Sequence, residues 1–401
     1  MSAVRPTIGR MSARLPLITT TERRYRLGRR HRLAPSARAT TVAETADSVV
    51  ALHATDAATV FLSARARLAG GSPAVVEQAL YEEVRLVRLL SMRNTLFAVS
   101  AELAPYVDAA SARAIAAKER RTFLKHLDED GQGLDAAWLA GVEAEALDTL
   151  DTEGPLTGSQ LSAAVPALRR KITLSRGKKY ETEQGVATRV IRLLAADGRI
   201  RRDRPRGSWT SSQFRWVHTA PWPALPAAEA RAEIARRWLY AYGPATEADL
   251  KWWTGWTLTD VRKALAAVGP DRVRLDDGST ALVGPGDTAH EPAPEPWAAL
   301  LPALDPSGMG WADRSFHLDP AHRSALFDYA GNIGPTVWWN GEIVGGWAQR
   351  PDGGIVWRLL GDPGRTAEQA ITAEADRLSA WVGEARVTPR FRTPLERELV
   401  A

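Results

Sequence analysis

The chain has 401 residues, 45% hydrophobic and 25% charged, enough to build two to four compact units around a sizeable core. It contains no cysteine, which excludes disulfides, thiolate metal sites and cysteine nucleophiles and suits a reducing compartment. The net charge of +5 is modest, and no run reaches the roughly 18 apolar residues of a membrane span or forms the apolar core of a signal peptide, so a cytoplasmic protein without a membrane partner is expected.

The positive charge is concentrated. Residues 1–40 form a basic arm in which ten arginines, from Arg5 to Arg38, face the single acid Glu22. Residues 41–99 then read as a helix before His53, a second helix over 73–81, and a strand pair over 86–89 and 96–99. The same pattern returns near Pro155: Thr157 or Ser159 caps a short helix, and a longer helix over 183–196 carries Val186, Val190, Ile191 and Leu194 on one face. Asp197-Gly198 ends it, and residues 200–217 form a basic wing containing Arg201, Arg202, Arg204 and Arg206. Residues 169–215 hold fourteen basic side chains, beginning Arg169-Arg170-Lys171 and including Lys178 and Lys179, against four acids. Such blocks have the electrostatic form of a phosphate-binding surface, the plain alternative being a solvated charged face.

The clearest copy spans 246–283. Thr246 caps a helix that Gly255 ends, Thr259 starts another, and strands over 272–275 and 279–283 flank Asp277-Gly278, a dipeptide suited to a tight hairpin. Three copies of one helix–turn–helix–hairpin pattern make a DNA-binding array the expected architecture. Residues 284–300 are broken by prolines and read as a linker. Beyond it, strands over 336–339 and 343–347 flank Asn340-Gly341, a further strand covers 355–360, a helix covers 366–382, and residues 386–399 close the chain. The expected fold is thus α+β, with tandem winged-helix repeats followed by a small β-barrel. The expected division is a first winged helix with its basic arm over 1–105, a helical segment and second winged helix over 106–225, a third over 226–285, and the barrel with its closing helix over 286–401.

Several chemistries lack a warrant. Gly177-Lys178-Lys179 has neither the upstream glycine nor the following Ser or Thr of a P-loop, the seven histidines show no metal-binding spacing, and there is no Gly-x-Ser-x-Gly elbow. No metal or other cofactor is expected.

Specific runs carry a family resemblance. They are Leu52-His53-Ala54-Thr55-Asp56, Ser91-Met92-Arg93-Asn94-Thr95-Leu96, Tyr242-Gly243-Pro244-Ala245-Thr246 leading into Asp249-Leu250-Lys251-Trp252-Trp253-Thr254-Gly255, Leu301-Pro302-Ala303-Leu304-Asp305-Pro306, Gly345-Gly346-Trp347-Ala348-Gln349-Arg350, and Thr388-Pro389-Arg390-Phe391 with the following Thr393-Pro394-Leu395-Glu396-Arg397-Glu398. On these runs the chain resembles the AlkZ/YcaQ-like winged-helix DNA glycosylases over almost its whole length. The resemblance implies a monomeric, C-shaped body clasping double-stranded DNA. It also implies monofunctional hydrolysis of the N-glycosidic bond of N7-alkylated purines, including bulky adducts and crosslinks. Alkylation at N7 makes the base cationic and a good leaving group, so short polar side chains that hold a water and stabilise the developing sugar cation suffice.

In the family this task belongs to a Gln-apolar-Gln or Gln-apolar-Asp motif, and the register places His53-Ala54-Thr55 on it. Residues 53 and 55 of an extended segment project to one side. Both positions depart from the family pattern. Asp56 either assists them, by orienting the imidazole or stabilising the sugar cation, or caps the following helix. Arg93 either reaches phosphate or lesion or pairs with Glu82 or Glu83. Lys251, with Arg262 and Lys263, flanks the most legible helix-turn-helix and is a candidate backbone contact, and Arg350 and Arg390 are phosphate-facing by resemblance. The Trp252, Trp253 and Trp256 cluster reads as core, while Trp338 and Trp339 either wedge into a groove or fill the barrel. The changed motif keeps open a second function, a non-catalytic winged-helix DNA-binding protein acting as damage sensor or regulator.

Overall fold

The computed structural model describes residues 15–401 apart from 131 and 176. Arg5, Arg10, Arg14 and Arg176 of the two basic blocks lie outside the described residues. Residues 17–18 lie alongside Arg274, with Ile18 donating to its carbonyl at 2.9 Å, and lead into helix α1 (Thr20–Arg30), capped by Thr19.

Four units follow. In the first, Thr41 and Glu44 form a reciprocal capping box that starts α2 (Val42–Asp47). The chain continues through β1 (Leu52–His53), α3 (Ala57–Arg67), α4 (Pro73–Glu77), β2 (Leu86–Ser91) and β3 (Thr95–Ser100), and the strands pair antiparallel in the order β1–β3–β2. Every residue of α3 is buried. Its Arg67 can be so because a two-pronged pair with Asp305, 2.8 Å at each contact, neutralises it and joins this unit to the last one. Helices α5 (Ala104–Val107) and α6 (Arg113–Asp130) lead to the second unit.

That unit comprises α7 (Ala136–Glu153), β4 (Leu156–Thr157), α8 (Gly158–Ala164), a hairpin of β5 (Lys171–Leu174) and β6 (Thr182–Gly185), α9 (Val186–Ala196), β7 (Ile200–Pro205) and β8 (Phe214–His218), with strand order β4–β8–β7. Thr157 is the cap of α8, completed by Gln160. The helix expected from residue 183 begins at Val186, because Thr182–Gly185 is paired with β5 and its amides are already engaged. The third unit holds α10 (Ala227–Tyr242), α11 (Glu247–Thr254), α12 (Leu258–Val268) and the hairpin of β9 (Asp271–Arg274) and β10 (Thr280–Val283), turned at Gly278 with φ 82°. Trp253 and Trp256 are buried here, as aromatic spacing suggested.

The last unit carries β11 (Ala298–Leu301), α13 (Arg323–Leu326), β12 (Thr336–Trp339), β13 (Glu342–Gln349), β14 (Ile355–Leu359), α14 (Arg365–Val382) and α15 (Pro394–Val400). Asn340 and Gly341, at φ 46° and 88°, make the tight turn their chemistry favours. The expected barrel is a correction: among the described residues the four strands form an open antiparallel sheet in the order β11–β12–β13–β14. Helix α14 packs against β11, β12 and β14, covering the apolar face that closure into a barrel would otherwise bury. Trp338 is fully buried, with Nε1–H donated to Thr336 Oγ1 at 2.8 Å, so it fills the core and is no groove wedge.

One apolar core runs through the first, third and last units, and a second fills the middle unit together with α6. A cavity opens at the seam between the two cores.

Candidate active site and DNA interface

β1 ends on His53, which pairs with Phe97 of β3, and the chain bends at Thr55 and Asp56 before α3 begins. The imidazole stands edge-on to Phe97 at 5.4 Å between ring centres. The Thr55 amide donates to His53 Nδ1 at 3.5 Å, so the neutral ring holds its proton on Nε2. Burial, reinforced by the nearby Arg93 guanidinium, pushes the imidazole down to about 3. His53 is therefore neutral at physiological pH and presents an N–H. It can hold a water through the water's oxygen; taking a proton from it requires the other tautomer and gives up the Thr55 contact.

His53 and Thr55 line a cavity of about 560 Å³ at the seam of the first two units. Its walls come from β2 and β3, from α9, and from the wing strands β7 and β8, with Asn332 and Phe391 added from the last unit. Four arginines, Arg88, Arg192, Arg201 and Arg202, line it, and among the described residues no carboxylate does. Arg192 reaches Asn94 Oδ1 at 3.1 Å and pairs with Glu119, pinning the rim of α9 to the β2–β3 turn. Arg201 lies 3.8 Å from Asp203. Burial, with Arg88 and Arg390 nearby, lowers Arg202 to about 10.

Asp56 faces away from this cavity. Its Oδ1 accepts the Ala58 amide at 3.2 Å as the cap of α3, and its Oδ2 accepts the Arg390 amide at 3.0 Å. Arg93 pairs with neither Glu82 nor Glu83; it occupies the β2–β3 turn at φ 53° and lays its guanidinium over Trp252, 4.3 Å from the ring centre. Arg390 stays exposed beside Phe391 and within the field of Arg202.

The remaining expected contacts lie elsewhere. Arg169 folds back on the carbonyls of Ser162 and Ala163 at the end of α8, and Lys171 pairs with Glu183 at 3.0 Å across the β5–β6 hairpin. Arg170, Lys178, Lys179, Lys251 and Arg350 are exposed and none of them lines the cavity. Lys178 and Lys179 share the β5–β6 tip with Tyr180, which is 68% exposed.

None of the described arginines of the N-terminal arm lines this cavity. Arg26, 1% exposed, reaches Asp287 and the Ala289 carbonyl; Arg30 grips Asp287 with both nitrogens at 2.7 and 2.8 Å; Arg29 pairs with Glu291. The proline-rich linker supplies these acids, so this block fastens the linker to α1.

A family model described as DNA glycosylase AlkZ-like matches residues 46–381. The chain belongs to this family. A curated relative, the interstrand DNA cross-link repair glycosylase of Streptomyces sahachiroi, is 26% identical over 291 residues, covering 68% of this chain and 77% of the relative. The solved structure of Streptomyces sahachiroi DNA glycosylase AlkZ superposes with a TM-score of 0.68 at 21% identity, covering 92% of this chain and 98% of that one, and so shares the fold. In this AlkZ-like chain the signal for the added site residues was partly visible. Arg88 is the single charge inside the apolar strand Leu86-Val87-Arg88-Leu89-Leu90, and a charge kept inside a buried strand marks a constraint other than packing. Asn332 and Phe391, drawn in from far along the chain, gave no such sign. Among the described residues no three His, Asp or Glu side chains converge as a metal-holding group.

Proposed function

We propose that this AlkZ-like protein is a monofunctional DNA glycosylase that binds duplex DNA through its winged-helix units and hydrolyses the N-glycosidic bond of cationic N7-alkylpurines, bulky adducts and crosslinks among them. The observation that carries this reading is the convergence of His53 and Thr55 with Arg88, Arg201 and Arg202 on one cavity. The first and third units follow the helix–strand–helix–helix–hairpin order of a winged helix, with the Ala245–Leu282 bridge supplying the short first strand of the third, and the second follows it with the β5–β6 hairpin inserted between its two helices α8 and α9. The family membership and the cross-link repair role of the Streptomyces sahachiroi relative point the same way.

The chemistry follows from the side chains. The alkylated base departs readily because its positive charge is lost as the bond breaks. The cavity offers no carboxylate to the sugar cation, so the negative charge beside it comes from the DNA's own phosphates, which the arginines hold in place. His53 Nε2–H and the Thr55 hydroxyl then position the attacking water, whose proton passes to solvent as its oxygen bonds to the sugar cation.

Purified protein is incubated with a duplex carrying one N7-methylguanine and then treated with alkali. Strand cleavage above the spontaneous rate is expected, falling by about 10²-fold in Thr55→Ala and His53→Ala while duplex binding persists. Cleavage no faster than the spontaneous rate, on this duplex and on one with a bulky N7 adduct, together with retained binding, would favour the second reading. That reading, a non-catalytic DNA-binding relative acting as sensor or regulator, draws on His53 and Thr55 standing where the family carries Gln and Gln or Asp.

A further inference from the structure

We infer that Arg88 and Arg202, which both line the cavity and both stand against the ring of Phe214, form a seat for one phosphodiester phosphate of the DNA strand next to the nucleotide presented to His53. The inference rests on the duplex-binding reading above and adds to it the residues and the ligand atom.

The wing strand β7 and the hairpin strand β2 bring together a column of guanidinium and aromatic groups. Arg204 and Arg88 each place Cζ 5.5 Å from the Tyr81 ring centre; Arg88 and Arg202 stand 5.2 and 4.6 Å from that of Phe214. The three arginines differ in their partners. Arg204 is neutralised by Glu77 at 3.2 Å and Glu82 at 2.8 Å, which fastens the wing to the first unit. Arg88 is 8% exposed, and its Nη1 donates to Tyr81 Oη at 2.9 Å. Its Nε and Nη2 are buried without a hydrogen-bond partner. Among the described residues neither Arg88 nor Arg202 meets a carboxylate, and the charge felt beside Arg202 is that of Arg88 and Arg390, which is positive.

A buried guanidinium with two idle donors is costly, and a second positive charge beside it makes it more so. Stacking on Phe214 and Tyr81 relieves part of that cost and fixes both planes, but supplies no acceptor. An anion does. The planar fork of arginine matches two oxygens of a phosphate, and both side chains line the cavity that holds His53 and Thr55. In a DNA-binding protein the anion present at every nucleotide is the backbone phosphate.

The test uses the whole protein and duplexes containing a tetrahydrofuran abasic analogue, with a single uncharged methylphosphonate placed at each flanking linkage in turn. Affinity is read by fluorescence anisotropy for the wild type, Arg88→Met and Arg202→Met. One methylphosphonate position should weaken wild-type binding about 10-fold. Each variant should lose about as much on the all-phosphate duplex and nothing further on that methylphosphonate duplex. Losses that add at every position overturn the phosphate seat. Arg202 is less buried than Arg88, so its variant keeps the test decisive if Arg88→Met folds poorly. A second readout needs no DNA: millimolar sulfate, against chloride at equal ionic strength, should raise the unfolding temperature of the wild type but not of Arg202→Met. Sulfate stabilisation without duplex binding overturns the DNA reading and keeps the anion site. Duplex binding with equal sulfate response in both proteins overturns the site.

Discussion

Asp56 follows Thr55 directly and still does not share its cavity, because a helix cap turns the chain between them. Its two oxygens hold the first turn of α3 and the backbone of Arg390, so its contribution lies in stability and in seating the segment that carries Phe391. Asp56→Ala should cost about 2 kcal/mol, roughly half from the cap and half from the second acceptor, while Asp56→Asn keeps the cap and costs about 1 kcal/mol. Urea denaturation of the three proteins checks this order. If Asp56→Asn abolished strand cleavage while denaturing with the wild type, the carboxylate would belong to the chemistry. At this scale the sequence located His53 and Thr55 through the register of a motif. It could not separate Thr55 from Asp56, whose side chains part only when α3 starts. Arg88 shows the reverse case, a residue whose oddity was legible in its strand but whose meaning depended on Phe214 and Arg202, more than a hundred residues away in the chain.

At the scale of elements, α1 illustrates what charge counting misses. Ten arginines against one acid read as a nucleic-acid surface, yet those described between Arg23 and Arg30 find carboxylates and carbonyls far along the chain. The proline-rich linker cannot build regular structure to satisfy itself, so Asp287 and Glu291 anchor it to the helix instead. Removing Asp287 leaves Arg26, 1% exposed, with Glu22 as its one remaining carboxylate among the described residues, and deprives Arg30 of its paired contact. Asp287→Ala should therefore destabilise by about 3 kcal/mol. The salt dependence of duplex affinity should stay as in the wild type, since the linker acid faces α1. A shallower denaturation loss, under about 1 kcal/mol, or a changed salt slope would show that α1 is held by packing or reaches DNA. Turns were the most legible elements: Asp277-Gly278 and Asn340-Gly341 both stand where their positive-φ chemistry put them. The β5–β6 hairpin escaped notice because each strand has only four residues and β6, Thr-Glu-Gln-Gly, is polar throughout with no alternation to read. The barrel was over-read because strand signals alone do not say whether a helix will cover the sheet.

For the molecule as a whole, three histidines tie stability to pH. His31 Nε2–H donates to the Ala241 carbonyl at 3.1 Å and its Nδ1 accepts from Ser307 Oγ at 2.8 Å, where α1 meets the third and last units, and burial pushes it down to about 3. His53 is held equally low beside the cavity. His317 lies flat against Trp338 at 5.4 Å with both nitrogens unpartnered, and burial with Arg314 and Arg23 nearby lowers it well below the ordinary range. Above about pH 6.5 each ring is neutral in both the folded and unfolded chain and pH has no leverage through it. As pH falls below that value the unfolded ring gains a proton that the folded one refuses. Stability is then lost at up to about 1.4 kcal/mol per pH unit for each histidine, until the folded pKa is reached. Three such groups remove up to about 4 kcal/mol per unit, a large share of the 5–15 kcal/mol typical of a domain. The urea midpoint should accordingly drop steeply between pH 6.5 and 5. Carboxylates also titrate toward the lower end of that range, so the decisive comparison is with His317→Phe, which keeps the ring stack and removes one titration. Its stability at pH 7.5 should match or exceed that of the wild type, because two idle buried nitrogens disappear, and its loss on acidification should be shallower by about 1.4 kcal/mol per unit. Parallel curves for the two proteins would mean that His317 finds a proton in the folded state, and that the interior around Trp338 is wetter than its packing indicates.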